Sequence, residues 1–431
     1  MGNGPVSFVG NTTHLQMNPY SWTKLGHVLY IDQPVGTGYS TASMPYPARN
    51  LDRIASDFHA WLQTFFARFP HLQKKRVHLI GESFAGYYIP YFASAIVSNQ
   101  DSLPVDLHSL SMGNPTLGDD KAMFSSTIVP FLASQQSTLN IPDDIISAFS
   151  EADKICGFDA ITQQAQTFPF KSNHPIPLPD SEPAYKPDHT TGDADAVNST
   201  TCFLNPTTPD EVLSAALNAT TCQGSCDLST TATTYIRTLM ATREKDGKSC
   251  YDIYDITNGC DSVNAVSLIN AYFDRADVQK ALNLPSTSPA QEPYSVCNRQ
   301  ILQTLSTSGP RPEPAAYSIL PDLATTHRIP IHVFSGANDM LLNHFGTELV
   351  LQNMSWNGAF GFTRRPDRVF YVDDAAPDGY GNGSANGTRA AGIWGKERGV
   401  SYHLFYGAGH TVFLKKPREM FAFIRDVVVG R

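Results

Sequence analysis

The fold is decided by Arg76-Val77-His78-Leu79-Ile80-Gly81-Glu82-Ser83-Phe84-Ala85-Gly86. A β-rich run, Arg76 to Ile80, ends at a glycine and passes into a helical stretch through a serine. A serine at such a strand-to-helix turn sits in a sharp, strained bend, which exposes its hydroxyl and requires small neighbours on either side. Gly81 and Ala85 supply them. The general pattern is G-x-S-x-G; here Ala fills the last position and Gly86 follows it. The string alone is weak, because glycine-rich strand-helix turns are common. Placed after a β-rich run in an alternating chain, it marks Ser83 as a nucleophile.

The alternation extends to both sides. His27 to Ile31 reads as a short strand, and Leu51, Ile54, Phe58, Leu62 and Phe65 repeat at helical spacing until Pro70 stops them. Leu107 to Met112 reads as another strand. Strand and helix in alternation predict right-handed crossovers and a mainly parallel sheet. From about Asp119 to Cys260 the alternation stops, with six prolines between Pro169 and Pro187 and most of the cysteines. This stretch reads as an inserted cap held by disulfides. Strand patterns resume at Ile329 to Phe334, Arg368 to Val372 and Tyr402 to Tyr406, with helical patterns at Asn343 to Gln352 and Pro417 to Val428. The Gly-rich stretch Ala375 to Thr388 reads as an exposed loop. The division expected is a core over 1–118, a cap over 119–262 and a second part of the core over 263–431.

A serine nucleophile needs a base, and the base an orienting acid. Asp339 follows the strand Ile331 to Phe334 through Ser335-Gly336-Ala337-Asn338, and His410 follows Tyr402 to Tyr406 through Gly407-Ala408-Gly409. Both stand just beyond strand ends, the rim where sites of open α/β sheets assemble. The order Ser, Asp, His is that of α/β-hydrolases, and an α/β-hydrolase fold is the expectation: a mostly parallel central sheet, helices on both faces, an inserted cap. Asp373 and Asp374, also at a strand end, compete for the acid's role. His344 lies inside a helical pattern and reads as structural.

Composition narrows the class. The chain has 431 residues, 41% of them hydrophobic, ample for a buried core. A net charge of -9 without a basic run excludes electrostatic binding of nucleic acid or of an anionic membrane. No apolar run approaches the ~18 residues that span a bilayer. Seven cysteines, all of them between Cys156 and Cys297, accompany six Asn-X-Ser/Thr sequons at Asn11, Asn198, Asn218, Asn353, Asn382 and Asn386. Together they point to an oxidising, secretory compartment. The cysteines lack C-x₂-C spacing and paired histidines, so disulfides rather than zinc are expected. The first residues, Met-Gly-Asn-Gly-Pro-Val-Ser-Phe, do not read as a signal peptide.

Taken together, the motifs resemble the serine carboxypeptidase family. Gly81 to Pro90, GESFAGYYIP, is similar to that family's G-E-S-Y-A-G-x-Y-x-P. Asn18-Pro19-Tyr20-Ser21-Trp22 and Asp32 to Ser40 (DQPVGTGYS) resemble N-P-x-S-W and D-x-P-x-G-x-G-[FY]-S. Gly113-Asn114-Pro115, Asp277 to Leu282, Ser335 to Asp339 and Gly407 to His410 match in order. The resemblance implies release of C-terminal amino acids from peptides or proteins with a free C-terminus, without metal or organic cofactor. It implies that the Phe84 N–H donates to the oxyanion and that Glu82, partly protonated, shares a hydrogen bond with the substrate's terminal carboxylate. Two carboxyl groups at short range hold a proton between them, which implies an acidic working pH.

Two departures from the family pattern carry further expectations. The segment W-x-N-G-G-P-G-C-S-S, upstream of Asn-Pro-Tyr-Ser-Trp in the family, is not present. With it would go an Asn partner of Glu82, one oxyanion donor, the first strands of the sheet and the family's partner for Cys297. The expectation is an N-terminally truncated chain with Cys297 unpaired and weak catalysis. Thr411 stands where the family has Met in the pocket for the C-terminal side chain, so Thr411 and Cys297 are the pocket candidates. An acyltransferase or esterase on the same scaffold, or an inactive homologue, are the alternatives.

Overall fold

The computed structural model describes residues 2–40, 50–172, 174–178, 226–243, 250–259, 265–284, 294–307, 313–372, 380–381 and 390–430. Its strands are β1 (Val6–Phe8), β2 (Leu15–Met17), β3 (Val77–Glu82), β4 (Leu107–Gly113), β5 (Ile331–Gly336), β6 (Ser355–Trp356), β7 (Ala359–Phe360), β8 (Arg368–Val372), β9 (Tyr380–Gly381), β10 (Gly392–Glu397) and β11 (Val400–Phe405). Seven of them form one sheet in the order β3-β4-β5-β11-β10-β8-β9. The first four are parallel, with Glu82 opposite Gly113, Gly113 opposite Phe334, and Phe405 opposite Gly336. Their C-terminal ends therefore share one rim. β10, β8 and β9 continue the sheet antiparallel.

The parallel strands are covered on both faces, as such sheets require. Ile331 and Val333 of β5 and Val400, Tyr402 and Leu404 of β11 pack into one cluster with Ile89, Leu323 and Val350. Phe334 and Phe405 face the other way, onto Met420 and Phe423. The Leu51–Arg68 helix forms because Ile54, Ala55, Phe58, Leu62 and Phe66 make one buried stripe. Its first turn is capped by Asn50, whose Oδ1 accepts from the Arg53 N–H at 2.8 Å. The helices Asp143–Ile155, Phe158–Ala165 and Leu228–Arg243 contribute to a separate apolar cluster around Phe131, Phe149 and Tyr235. There Cys156 is bonded to Cys226. Cys250 is also in a disulfide.

Several expectations change here. His27 to Ile31 is not a strand: the run joins no ladder, and Leu29 and Tyr30 are half exposed. The helix read over Pro417 to Val428 is α-helical to Phe423 and closes with a wider π turn over Ile424–Val428. Asn353 is buried, and its Oδ1 accepts from the Ile176 N–H at 2.5 Å, so a glycan on that side chain is incompatible with the fold. Asn11 is exposed. Asn198, Asn218, Asn382, Asn386, Asp373 and Asp374 lie outside the described residues.

A row of polar groups lies on the Phe423 face of the sheet. His78 Nδ1 pairs with Ser109 Oγ at 2.7 Å and His332 Nδ1 with Ser401 Oγ at 2.8 Å. His403 stacks on Trp394 and meets the edge of Phe423. Burial, then the charges of neighbouring residues, lower His78 and His332 to about 4; burial holds His403 well below the ordinary histidine range. Groups depressed in the folded state contribute stability above the unfolded value of 6.5 and lose it as pH falls toward 4. For His332 alone, the loss between pH 7 and 4.5 is about 2 kcal/mol. Urea unfolding at the two pH values should therefore show a smaller drop in His332→Gln than in the parent chain. An equal drop would refute this assignment. The comparison with the variant is needed because buried Asp153 and Glu82, both raised to about 7 chiefly by burial, act in the opposite sense.

Candidate active site

Ser83 is the residue at which β3 becomes the Ala85–Ser98 helix. Its φ is 61°, in the left-handed region that side chains other than glycine rarely adopt. Three backbone bonds hold it there. Its N–H donates to Gly113 O at 2.9 Å, and its carbonyl accepts from Gly86 N–H at 2.9 Å and Thr116 N–H at 3.0 Å. The small residues have steric causes. A Cβ on Gly81 would stand 2.5 Å from the Ala85 Cβ, and one on Gly86 would stand 2.6 Å from the backbone of Thr116. Phe84 is the N-cap of the helix, and its N–H meets no acceptor among the described residues.

Asp339 follows β5 and is wholly buried. Its Oδ1 accepts from the N–H groups of Leu341 and Leu342 at 3.0 and 3.1 Å, and its Oδ2 is 2.7 Å from His410 Nδ1. The carboxylate thus fixes the tautomer: Nδ1–H donates to Asp339, and Nε2 is left as an acceptor. Burial works against a charged His410, but the attraction and hydrogen bond of Asp339, with Glu82 and Asp252 further off, raise it above the ordinary histidine value. The His410 N–H donates to Tyr254 O at 2.6 Å, and the Tyr254 ring meets the imidazole edge to face at 5.0 Å. Gly409 permits that approach, since a Cβ there would lie 2.3 Å from Tyr254 O.

Ser83 Oγ and His410 are not hydrogen-bonded among the described residues. Both stand on the same rim, and such bonds often tighten only when substrate is present. The link between them is Asn114, directly after the Gly113 that accepts from Ser83. The Asn114 side chain is fully buried. Its Nδ2 donates to His410 O at 2.5 Å, and its Oδ1 accepts from Gly336 N–H at 2.9 Å. One amide therefore joins the segments that carry Ser83, His410 and Asp339. Sequence reasoning missed this role. Gly113-Asn114-Pro115 contributed only to the resemblance, and nothing in it showed an amide directed at two other loops.

Glu82 is part-buried and directly precedes Ser83. Its Oε1 accepts from Thr411 Oγ at 2.8 Å, and its Oε2 is shielded from water and has no partner among the described residues. Burial raises it to about 7, against the lowering effects of His410 and the Thr411 hydrogen bond. Thr411 therefore meets Glu82, a contact the sequence did not suggest. Cys297 is a free, exposed thiol, within electrostatic reach of Tyr88 and Tyr254. His344 pairs with Glu348 at 3.1 Å within its own helix and takes no part in the site. Asp339 meets His410; Asp373 and Asp374, its rivals for the acid's role, lie outside the described residues.

Fold and site together define a serine hydrolase with the α/β-hydrolase architecture. Residues 1–430 match the family described as serine carboxypeptidase. The chain belongs to the serine carboxypeptidase family, whose members are hydrolases of the peptidase class. It is 40% identical over 444 residues to a carboxypeptidase Y homolog of Arthroderma benhamiae, covering 99% of this chain and 80% of that protein. It is 26% identical to the pheromone-processing carboxypeptidase kex1 of Pyrenophora tritici-repentis over 94% of this chain, but spans only 53% of that protein. Among solved structures, the prohormone-processing carboxypeptidase Kex1(delta)p of Saccharomyces cerevisiae superposes with a TM-score of 0.66 at 21% identity. That match covers 99% of this chain and 78% of the other, and it supports the fold. No helix among the described residues is long and apolar enough to cross a membrane.

Proposed function

We propose that the chain removes C-terminal amino acids from peptides by acyl transfer through Ser83, His410 and Asp339. Ser83 Oγ attacks the last peptide carbonyl as His410 Nε2 takes its proton. The oxyanion is met by the N–H of Phe84, which has no other acceptor among the described residues. The tetrahedral adduct collapses, the C–N bond breaks, and His410 returns the proton to the leaving amino acid. Water, deprotonated by His410, then cleaves the acyl-enzyme and restores Ser83. Asp339 stabilises the imidazolium in both halves.

The observation that carries the exopeptidase reading is Glu82, one residue before the nucleophile, with a raised carboxyl and an oxygen that has no partner among the described residues. A protonated Glu82 receives a terminal carboxylate; an ionised one repels it. Peptide binding should therefore weaken as pH rises through about 7, the value to which burial raises Glu82. The rising limb set by His410 should be common to all substrates. Measured kcat/KM for a blocked peptide with a free C-terminus should fall above neutral pH, while its methyl ester keeps turning over. Superimposable profiles would count against the carboxylate role, and turnover of acyl esters without C-terminal trimming would favour an esterase or acyltransferase.

Thr411 and Cys297 remain the residues proposed to border the leaving side chain. The cap over 119–262, between core segments 1–118 and 263–431, is proposed to cover the rim; the separate apolar cluster of its helices supports this. A secretory location is supported by the Cys156–Cys226 disulfide and the exposed sequon at Asn11.

A further inference from the structure

We propose that Thr411 is a positioning residue for Glu82: its hydroxyl holds Oε1, so that Oε2 carries the shared proton toward the substrate's terminal carboxylate. The inference rests on the reading of Glu82 as the carboxylate clamp. The bond is short, 2.8 Å, and Thr411 directly follows His410 in the chain. A threonine hydroxyl has one hydrogen to give, and here it goes to Oε1. Oε1 is thereby fixed as an acceptor. Oε2 is shielded and has no partner among the described residues, so a proton on Glu82 that resides there is free to meet an incoming acceptor. A methionine at position 411 could not make this bond.

The same bond tunes the site. A hydrogen bond donated to a carboxylate favours its charged form and opposes burial, which disfavours it. Among the described residues, the charged groups acting on Glu82 are His410, which lowers it, and Asp339, which raises it. Removing the Thr411 hydroxyl leaves burial less opposed. Glu82 then keeps its proton to higher pH, while its carboxyl loses a fixed orientation.

The test uses Thr411→Val, Thr411→Ser and Glu82→Gln, each assayed against pH with a blocked dipeptide and its methyl ester. In Thr411→Val the alkaline loss of dipeptide hydrolysis should move up by about one pH unit, as expected for one charge-assisted hydrogen bond. The dipeptide KM at mildly acidic pH should rise by roughly tenfold relative to that of the ester. Thr411→Ser should bring both quantities back toward those of the parent chain. A Thr411→Val limb that stays in place, or that moves equally for dipeptide and ester, would overturn the proposal. Glu82→Gln separates the two levels. If it abolishes the dipeptide-specific limb while Thr411→Val leaves the limb in place, only the role of Thr411 fails. If Glu82→Gln preserves the limb, the clamp reading fails and the Thr411 proposal with it.

Discussion

Ser83→Ala lowers kcat on a free-carboxylate peptide by about 10⁶, the scale at which removal of a triad serine is felt in another serine peptidase. The change removes one oxygen and leaves the backbone bonds to Gly113, Gly86 and Thr116 in place. Alanine also meets the same positive-φ requirement as serine, so the variant should fold. Circular dichroism and a urea midpoint close to that of the parent chain would show that the lost oxygen, not the elbow, is responsible. A kcat within about tenfold of the parent would remove Ser83 from the mechanism.

Asp339→Asn should be the next most severe change, lowering kcat by about 10⁴; that magnitude is taken from the corresponding substitution in a trypsin-type enzyme. The direction follows from the local bonding. The N–H groups of Leu341 and Leu342 point at Oδ1, so an asparagine keeps its oxygen there and turns its NH₂ toward His410. His410 Nδ1 then becomes the acceptor, the proton moves to Nε2, and the base cannot accept from Ser83. KM should change little. A loss below about tenfold would mean that Asp339 does not set the tautomer.

The parts of this site that were legible in sequence are those in which local sterics and chain order coincide. The elbow showed because a strained turn excludes side chains, and Gly81 and Gly86 carry that exclusion in their identity. Asp339 and His410 showed because each follows a β-rich run through small residues. The steric reason, that these loops cross within van der Waals contact, was visible only in three dimensions. A Cβ on Gly336 would lie 2.1 Å from Gly409 O. Asn114 was not legible in its role, because its partners are some 220 to 296 residues away. Nor was Thr411, whose departure from the family residue suggested a change of pocket rather than a bond to Glu82. The antiparallel strands β8 and β10 flank a Gly-rich segment. β10 itself contains Gly392 and Gly395, so only β8 had a strand-like run. His27 to Ile31 has strand propensity without a neighbour to form a ladder, and propensity alone does not make a strand.

The most direct test of the account is active-site labelling with an organophosphonate, followed by mass spectrometry of the intact chain and of its peptides. One adduct per chain is expected, on the peptide containing Gly81 to Gly86 and localised to Ser83, with C-terminal release falling in proportion to labelling. Release of C-terminal residues that persists in fully labelled protein, or an adduct on a residue other than Ser83, would contradict it.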